Sequence, residues 1–359
     1  MTQKLFTPYQ LGDLTLPNRV VMAPLTRRRA GKDFIPSRLM ASYYAQRASA
    51  GLIIAEASMI HRTGLGYSDI PGIYTNNQVE GWKWVTGAVR DKGGRIFLQI
   101  WHVGRYSHTL FQENGALPLS SSAIKIDGVI NTPDGYKECI VPRALSTDEI
   151  PRVVEWYSNA ARNALKAGFD GVEIHGANSY LIDQFLQDGS NDRTDQYGGV
   201  IENRVRFGLE VLEAVISEAG GNRTGIRLSP SNIKNSMTDS NPVGTFTYMI
   251  ERLNDFNFAY LHLVEPTLPV DHLPQYKKEV AQYFRQFYNG TLISCGGYTL
   301  DKAENALQEK QADLIAFGVP YISNPDLVER FIQRVALNEA DPATFYTGGE
   351  KGYIDYPVL

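Results

Sequence analysis

Short apolar runs recur along the chain, each followed by a polar or glycine-rich turn and then by a stretch with helical spacing. The first run is Arg19–Pro24, RVVMAP, after a small hairpin predicted over Leu5–Leu16 from the turn residues Pro8, Gly12-Asp13 and Pro17. Gly51–Ala57, Arg95–Trp101, Gly171–Ile174, Thr224–Leu228, Tyr260–Val264, Thr291–Ser294 and Asp313–Phe317 are the other predicted strands. Helical periodicity covers Ser37–Ser49, Asn77–Lys92, Asp148–Ala167, Ile201–Glu218, Gly244–Phe256, Tyr276–Tyr288, Leu300–Lys310 and Pro325–Leu337. Gly168 supplies a C-terminal stop for the third of these. Strict alternation implies parallel strands with right-handed crossovers, and eight such units close a barrel. The expected fold is therefore α/β, a single (β/α)8 TIM barrel over residues 1–359, with the hairpin placed to cover one end. A long excursion after the third strand, His102–Arg143, has no helical period and reads as a binding loop or lid.

Composition narrows the function classes. A net charge of −4 gives no electrostatic case for nucleic acid or an anionic membrane. No apolar run reaches the roughly 18 residues of a transmembrane helix, and MTQKLFTPYQ lacks the apolar core of a signal peptide, so a cytoplasmic protein is expected. Cys139 and Cys295 stand far apart, which argues against a disulfide framework or an iron–sulfur cluster, and no metal site is expected.

In such barrels chemistry sits at the carboxyl ends of the strands. The fourth strand runs straight into His175, Asn178 and Tyr180, three hydrogen-bond donors within six residues, although one histidine after a strand is commonly structural. The third strand carries Gln99 and Trp101, and the fifth carries Arg227 in an apolar setting. A buried amide needs partners, so Gln99 meets either backbone or a ligand. An inward arginine needs an anion or several acceptors, and a salt bridge to a neighbouring carboxylate would serve equally. Gln99 and Arg227 together suit a planar heterocycle with carbonyl oxygens and an acidic ring nitrogen. Gly296-Gly297 and Gly318 end the last two strands, where barrels bind phosphate, although glycine there also serves plain turn chemistry.

HGANSYLIDQFLQDGSNDRTDQYGG, the IENRVRF that follows it, and SNPDLVERF make the chain resemble the Old Yellow Enzyme family of flavin-dependent ene-reductases, in its bacterial N-ethylmaleimide-reductase-like branch. The resemblance runs from LFTPYQLGDLTLPNRVVMAPLTR to GYIDYPVL. It implies noncovalent FMN, NADPH or NADH as reductant, and reduction of the C=C bond of enones, enals, maleimides and nitro compounds. It places Pro24, Leu25, Thr26 and Ala57 along the flavin, Gln99 and Arg227 at its pyrimidine, and Gly296, Gly297 and Gly318 by the phosphate. It gives His175 and Asn178 the substrate oxygen, Tyr180 the proton, and Tyr67, Trp101 and Tyr353 the pocket wall. Thr26 agrees with this branch. Two positions depart from the family: Val319 stands where an arginine usually meets the phosphate, and Val200 where serine is usual.

Rival readings fare worse. A Schiff-base aldolase needs a strand-end lysine, and none is present. A sugar hydrolase needs paired strand-end carboxylates, whereas Glu56 and Glu173 lie within strands. A flavin-binding sensor or storage barrel would keep Gln99 and Arg227 but has no use for Tyr180.

Overall fold

Eight parallel strands close a barrel in the computed structural model, which describes residues 3–359. They are β1 (Val20–Met22), β2 (Leu52–Met59), β3 (Ile96–Trp101), β4 (Gly171–Gly176), β5 (Thr224–Leu228), β6 (Tyr260–Val264), β7 (Leu292–Cys295) and β8 (Leu314–Phe317), with β8 pairing back onto β1. The returning helices are α1 (Arg38–Ala45), α2 (Asn76–Asp91), α3 (Ile150–Lys166), α4 (Ile201–Ala219), α5 (Pro242–Leu253), α6 (Val280–Phe284), α7 (Leu300–Gln308) and α8 (Leu327–Gln333). Among the described residues no helix is long and apolar enough to cross a membrane.

Side chains alternate along each strand. Leu98, Val172, Ile174, Ile226, Leu261 and Leu263 pack in the large core shared with the helices. The opposite face points inward, where Val21, Ile54, Phe97, Tyr260, Ile293 and Leu314 form an apolar plug. Leu11 and Leu16, from the hairpin of Tyr9–Leu11 with Leu14–Leu16, seat on that plug and cover this end of the barrel. Fully burying one such side chain contributes about 1.5–3 kcal/mol, so the closed end is the rigid one. Toward the carboxyl ends the interior turns polar, and strand register sets the neighbours. Glu173 lies opposite Gln99, His175 opposite Arg227, and Arg227 opposite His262.

Three expectations need amending. The His102–Arg143 excursion contains a hairpin, Val129–Thr132 with Gly135–Glu138, turned at Pro133-Asp134. The helix expected over Tyr276–Tyr288 is confined to Val280–Phe284 with a short 3-10 extension, because the Tyr276 ring is buried and its hydroxyl accepts the Asp239 N–H at 3.2 Å. Val200 is the N-cap of α4 and offers it no side-chain bond, so the departure from serine reaches a helix start and leaves it without a hydroxyl cap.

The Arg27–Arg29 run is no surface patch. Arg27, Arg29 and Arg47 are buried and hold the carboxyl-terminal tail by its carbonyls: Arg27 donates to Phe345 O (3.0 Å) and Gly352 O (2.8 Å), and Arg29 to Thr344 O (2.8 Å). Arg47 donates to Tyr321 O and Ile322 O and lies 3.6 Å from the Tyr43 ring centre. Burial pushes the nearby Glu56 carboxyl up to about 7, against the opposing pull of the Arg27 N–H and guanidinium and the Tyr44 hydroxyl. The folded protein therefore holds a proton at Glu56 that the unfolded chain has lost, so this contribution is full below about pH 4.5 and gone above about pH 7. Glu56→Gln should remove that slope. The stability difference between wild type and variant, from urea unfolding at pH 4.5 and pH 8, should change by about 3 kcal/mol. An unchanged difference would mean that Glu56 titrates alike in the folded and unfolded chain.

Candidate active site

The polar layer at the open end is assembled on Glu173. Gln99 Nε2 donates to one carboxylate oxygen at 2.7 Å, and His262 Nδ1 meets the other at 2.8 Å. Burial disfavours a charged His262, but the Glu173 carboxylate outweighs it and raises the ring above its ordinary value. With its amide nitrogen committed to Glu173, Gln99 keeps its amide oxygen free of any partner among the described residues. Arg227 is buried, and its polar contact is a 3.6 Å approach of Nη2 to Cys295 Sγ. Its Nε has no partner, and no carboxylate lies within ion-pair distance among the described residues. The salt-bridge alternative is thereby absent, and an uncompensated guanidinium faces the strand ends. Such a group calls for an anionic or carbonyl-rich ligand.

Above this floor stands an aromatic wall. Trp101 is flanked by His175, with ring centres 5.8 Å apart, and by Tyr180, edge-on at 4.6 Å. His175 Nδ1 accepts the Ala177 N–H at 3.3 Å, so in the neutral ring the proton sits on Nε2. Burial, with Arg227 and His262 adding to it, holds His175 well below its ordinary value, which keeps that neutral form. Asn178 and Ser179 both have left-handed backbone, φ 57° and 70°. That uncommon conformation is fixed by Asn178 N–H to Ser229 Oγ (2.8 Å) and Ser179 N–H to Asp183 Oδ2 (2.8 Å). The loop thus leaves the Asn178 side chain without a hydrogen bond among the described residues. The Tyr180 and Tyr67 hydroxyls are 2.9 Å apart. Burial raises Tyr180 far above an ordinary phenol, so it remains a proton carrier at any working pH.

Pro24, Leu25, Thr26, Tyr67 and Tyr180 line a cavity of about 240 Å³ that Val319, Phe345 and Tyr346 close from the other side. Ala57 lies on β2, buried, and Gly318 sits where an added Cβ would come within 3.4 Å of Leu25 Cδ2. Gly297 has φ +67° with open space where a Cβ would be, a backbone that favours glycine and leaves its amide approachable. The free Gln99 oxygen, the uncompensated Arg227 and the open Gly297 fit an FMN ring and phosphate. A larger hollow of about 610 Å³ shares Gly296 and Gly297 but is walled by Glu265, Asp271, Glu279 and Lys302, and none of the three candidate catalytic groups reaches it.

Val319 is half-exposed beside Gly318 and offers the phosphate no donor from its side chain. Hydrogen bonds between charged groups contribute about 1.5–3 kcal/mol net. Val319→Arg should then tighten FMN by roughly 10–100-fold, less so as salt rises. Titration of flavin-free protein at two salt concentrations measures this, and no tightening at low salt would mean that the phosphate is already fully held.

One expected wall residue lies elsewhere and a second stands behind the wall. Tyr353 is fully buried, stacked on Tyr43 at 4.0 Å beneath the guanidiniums of Arg27 and Arg29, and Tyr346 of the same tail occupies the cavity wall instead. Trp101 is 1 % exposed, so it backs His175 and Tyr180 rather than presenting surface of its own. Glu173 and His262 were not foreseen. Glu173 carried a signal, since it stands two residues before His175 and polar residues two apart on a barrel strand share its inner face, whereas His262 meets Arg227 only through the pairing of neighbouring strands.

A family model described as NADH:flavin oxidoreductase / NADH oxidase matches residues 4–338. The chain is similar to two proteins of Oryza sativa subsp. japonica, putative 12-oxophytodienoate reductase 2 (48% identical over 99% of this chain and 94% of that one) and 12-oxophytodienoate reductase 1 (47%, 99% and 93%). Among solved structures, morphinone reductase in complex with tetrahydroNAD matches with a TM-score of 0.93 and 51% identity, covering 99% of this chain and 97% of that one. The old yellow enzyme homologue from Zymomonas mobilis matches with a TM-score of 0.95 and 45% identity, covering 99% and 100%.

Proposed function

Because this chain belongs to the Old Yellow Enzyme family of NADH:flavin oxidoreductases, we propose that the groove over Gln99 and Arg227 is where its reaction is carried out, with His175, Asn178 and Tyr180 as the catalytic groups. The protein is an FMN-dependent oxidoreductase that reduces the C=C bond of activated alkenes with NAD(P)H. The observation that carries the assignment of the groove is Arg227, buried and without a carboxylate partner among the described residues.

In this reading Gln99 and Arg227 hold the pyrimidine of FMN, Pro24, Leu25, Thr26 and Ala57 flank the ring, and Gly296, Gly297 and Gly318 receive the phosphate. When bound, FMN supplies the two-electron chemistry between nicotinamide and alkene. His175 Nε2–H and the Asn178 amide converge on the substrate oxygen, where negative charge gathers as the alkene is reduced. Both are fixed before substrate arrives, His175 by its tautomer and Asn178 by its pinned loop, so little reorganisation is left for the reacting complex. Tyr180 gives its proton to the α-carbon. Two relatives are named for 12-oxophytodienoate and morphinone, oxo compounds by name, and a carbonyl-bearing alkene suits two converging donors. The reading treats residues 1–359 as one functional unit, since hairpin and tail both pack on the barrel.

Purified protein should be yellow, bleach under anaerobic NADPH, and regain colour with an enone at one alkene reduced per flavin. Bleaching without reoxidation by enones, maleimides or nitroesters would overturn the reading.

A further inference from the structure

We propose that Tyr180 does not donate alone: Tyr106, Tyr67 and Tyr180 form a chain of phenols that moves the proton deficit outward to solvent as the α-carbon is protonated. This rests on the assignment of Tyr180 as proton donor and adds the route of its replacement. The Tyr67 and Tyr180 hydroxyls are directly bonded at 2.9 Å, and either can be the donor. The Tyr106 ring lies against Tyr67 with centres 5.2 Å apart and planes 25° apart, and edge-on to Tyr180 at 6.2 Å. No direct bond joins the Tyr106 and Tyr67 hydroxyls among the described residues, so the second link runs through a side-chain turn or one water between these neighbouring rings. Tyr106 is half-buried at the start of the His102–Arg143 excursion, which gives the chain a solvent end.

The physical need is clear from the wall. Trp101 and His175 close in on the Tyr180 ring, and a substrate in the cavity covers its open side. A phenolate left there would be a buried charge. Handing a proton along matched phenols costs little, because each hydroxyl is both donor and acceptor and their intrinsic acidities are alike. The balance is complete: the Tyr180 O–H breaks as the α-carbon C–H forms, Tyr67 O–H breaks as Tyr180 O–H re-forms, and Tyr106 does the same for Tyr67. Water or buffer restores Tyr106, so the negative charge ends in solvent.

The test is the proton inventory of the alkene-reducing step, followed by stopped flow of holoenzyme in H2O/D2O mixtures with an enone. Wild type should give a curved plot, with more than one proton in flight. Tyr67→Phe should give a straight line and a rate lower on the order of tenfold, a part of the 10²–10⁴ of full general acid catalysis. Tyr106→Phe should lie between. A second reading needs no flavin: in flavin-free protein, the alkaline titration of ¹³Cζ-labelled Tyr180 should move higher in Tyr67→Phe, because the bond from Tyr67 stabilises the phenolate. A straight plot for wild type, or equal curvature in Tyr67→Phe, overturns the relay. If Tyr180→Phe keeps both rate and curvature, the donor assignment itself fails; if it loses both while Tyr67→Phe keeps them, only the relay fails.

Discussion

Replacing His175 and Asn178 together by alanine should leave flavin reduction by NADPH largely intact and lower alkene reduction by at least about 10². The size follows from geometry. Each side chain keeps a free donor among the described residues, His175 because its Nδ1 takes the Ala177 N–H and Asn178 because Ser229 and Asp183 clamp the backbone of Asn178 and Ser179. A single pre-aimed donor to a developing oxyanion is worth about 2.7–4 kcal/mol, so the pair cannot be removed cheaply. Rapid reduction and slow reoxidation, separated in a stopped-flow experiment, would show the loss in the second step alone. A phenol ligand gives an independent readout, because a bound phenolate should produce a long-wavelength charge-transfer band with the flavin that the double variant loses. Enone turnover at the wild-type rate in that variant would mean that the pocket is misassigned.

Tyr180→Phe should slow enone reduction by about 10²–10⁴ while sparing quinones, which need no proton on carbon. The ring would stay packed against Trp101 and His175, and the hydroxyl facing Tyr67 is what disappears. Comparing the two substrate classes in one preparation separates chemistry from packing. Equal slowing of quinones and enones would assign Tyr180 a structural part only.

Much of this was legible in the sequence because a barrel writes its period into the chain. Each strand is a short apolar run, each return a helical one, and the closed β8–β1 pairing follows from their count. The candidate cluster could be picked out because a strand end concentrates its polar residues, as His175, Asn178 and Tyr180 do. What escaped depends on contacts between distant residues. Two tyrosines of the tail, Tyr346 and Tyr353, lie in similar surroundings in sequence, and only folding puts one in the cavity and the other under Arg27. The buried arginines escaped because backbone carbonyls are their acceptors, and carbonyls leave no mark in a sequence. The hairpin at Pro133-Asp134-Gly135 did leave one, a turn signature inside the excursion.

The arginine clamp also sets an order of events during synthesis. Arg29 bonds a carbonyl 315 residues downstream and Arg27 one 325 residues downstream. At about 5–20 residues per second the ribosome needs roughly 15–65 s to make that interval. Through all of it the two guanidiniums lack their tail acceptors and keep only nearby ones, the Tyr43 hydroxyl for Arg27 (3.1 Å) and Arg27 O for Arg29 (2.6 Å), and Phe345 and Tyr346 have not yet closed the cavity. The barrel strands can pair and the Gln99–Glu173–His262 layer can form in that time, since all of them precede the tail. A nascent chain should therefore pass through a state with its flavin floor complete and its outer wall missing, and the tail's arrival is the step that converts an open bowl into a closed pocket.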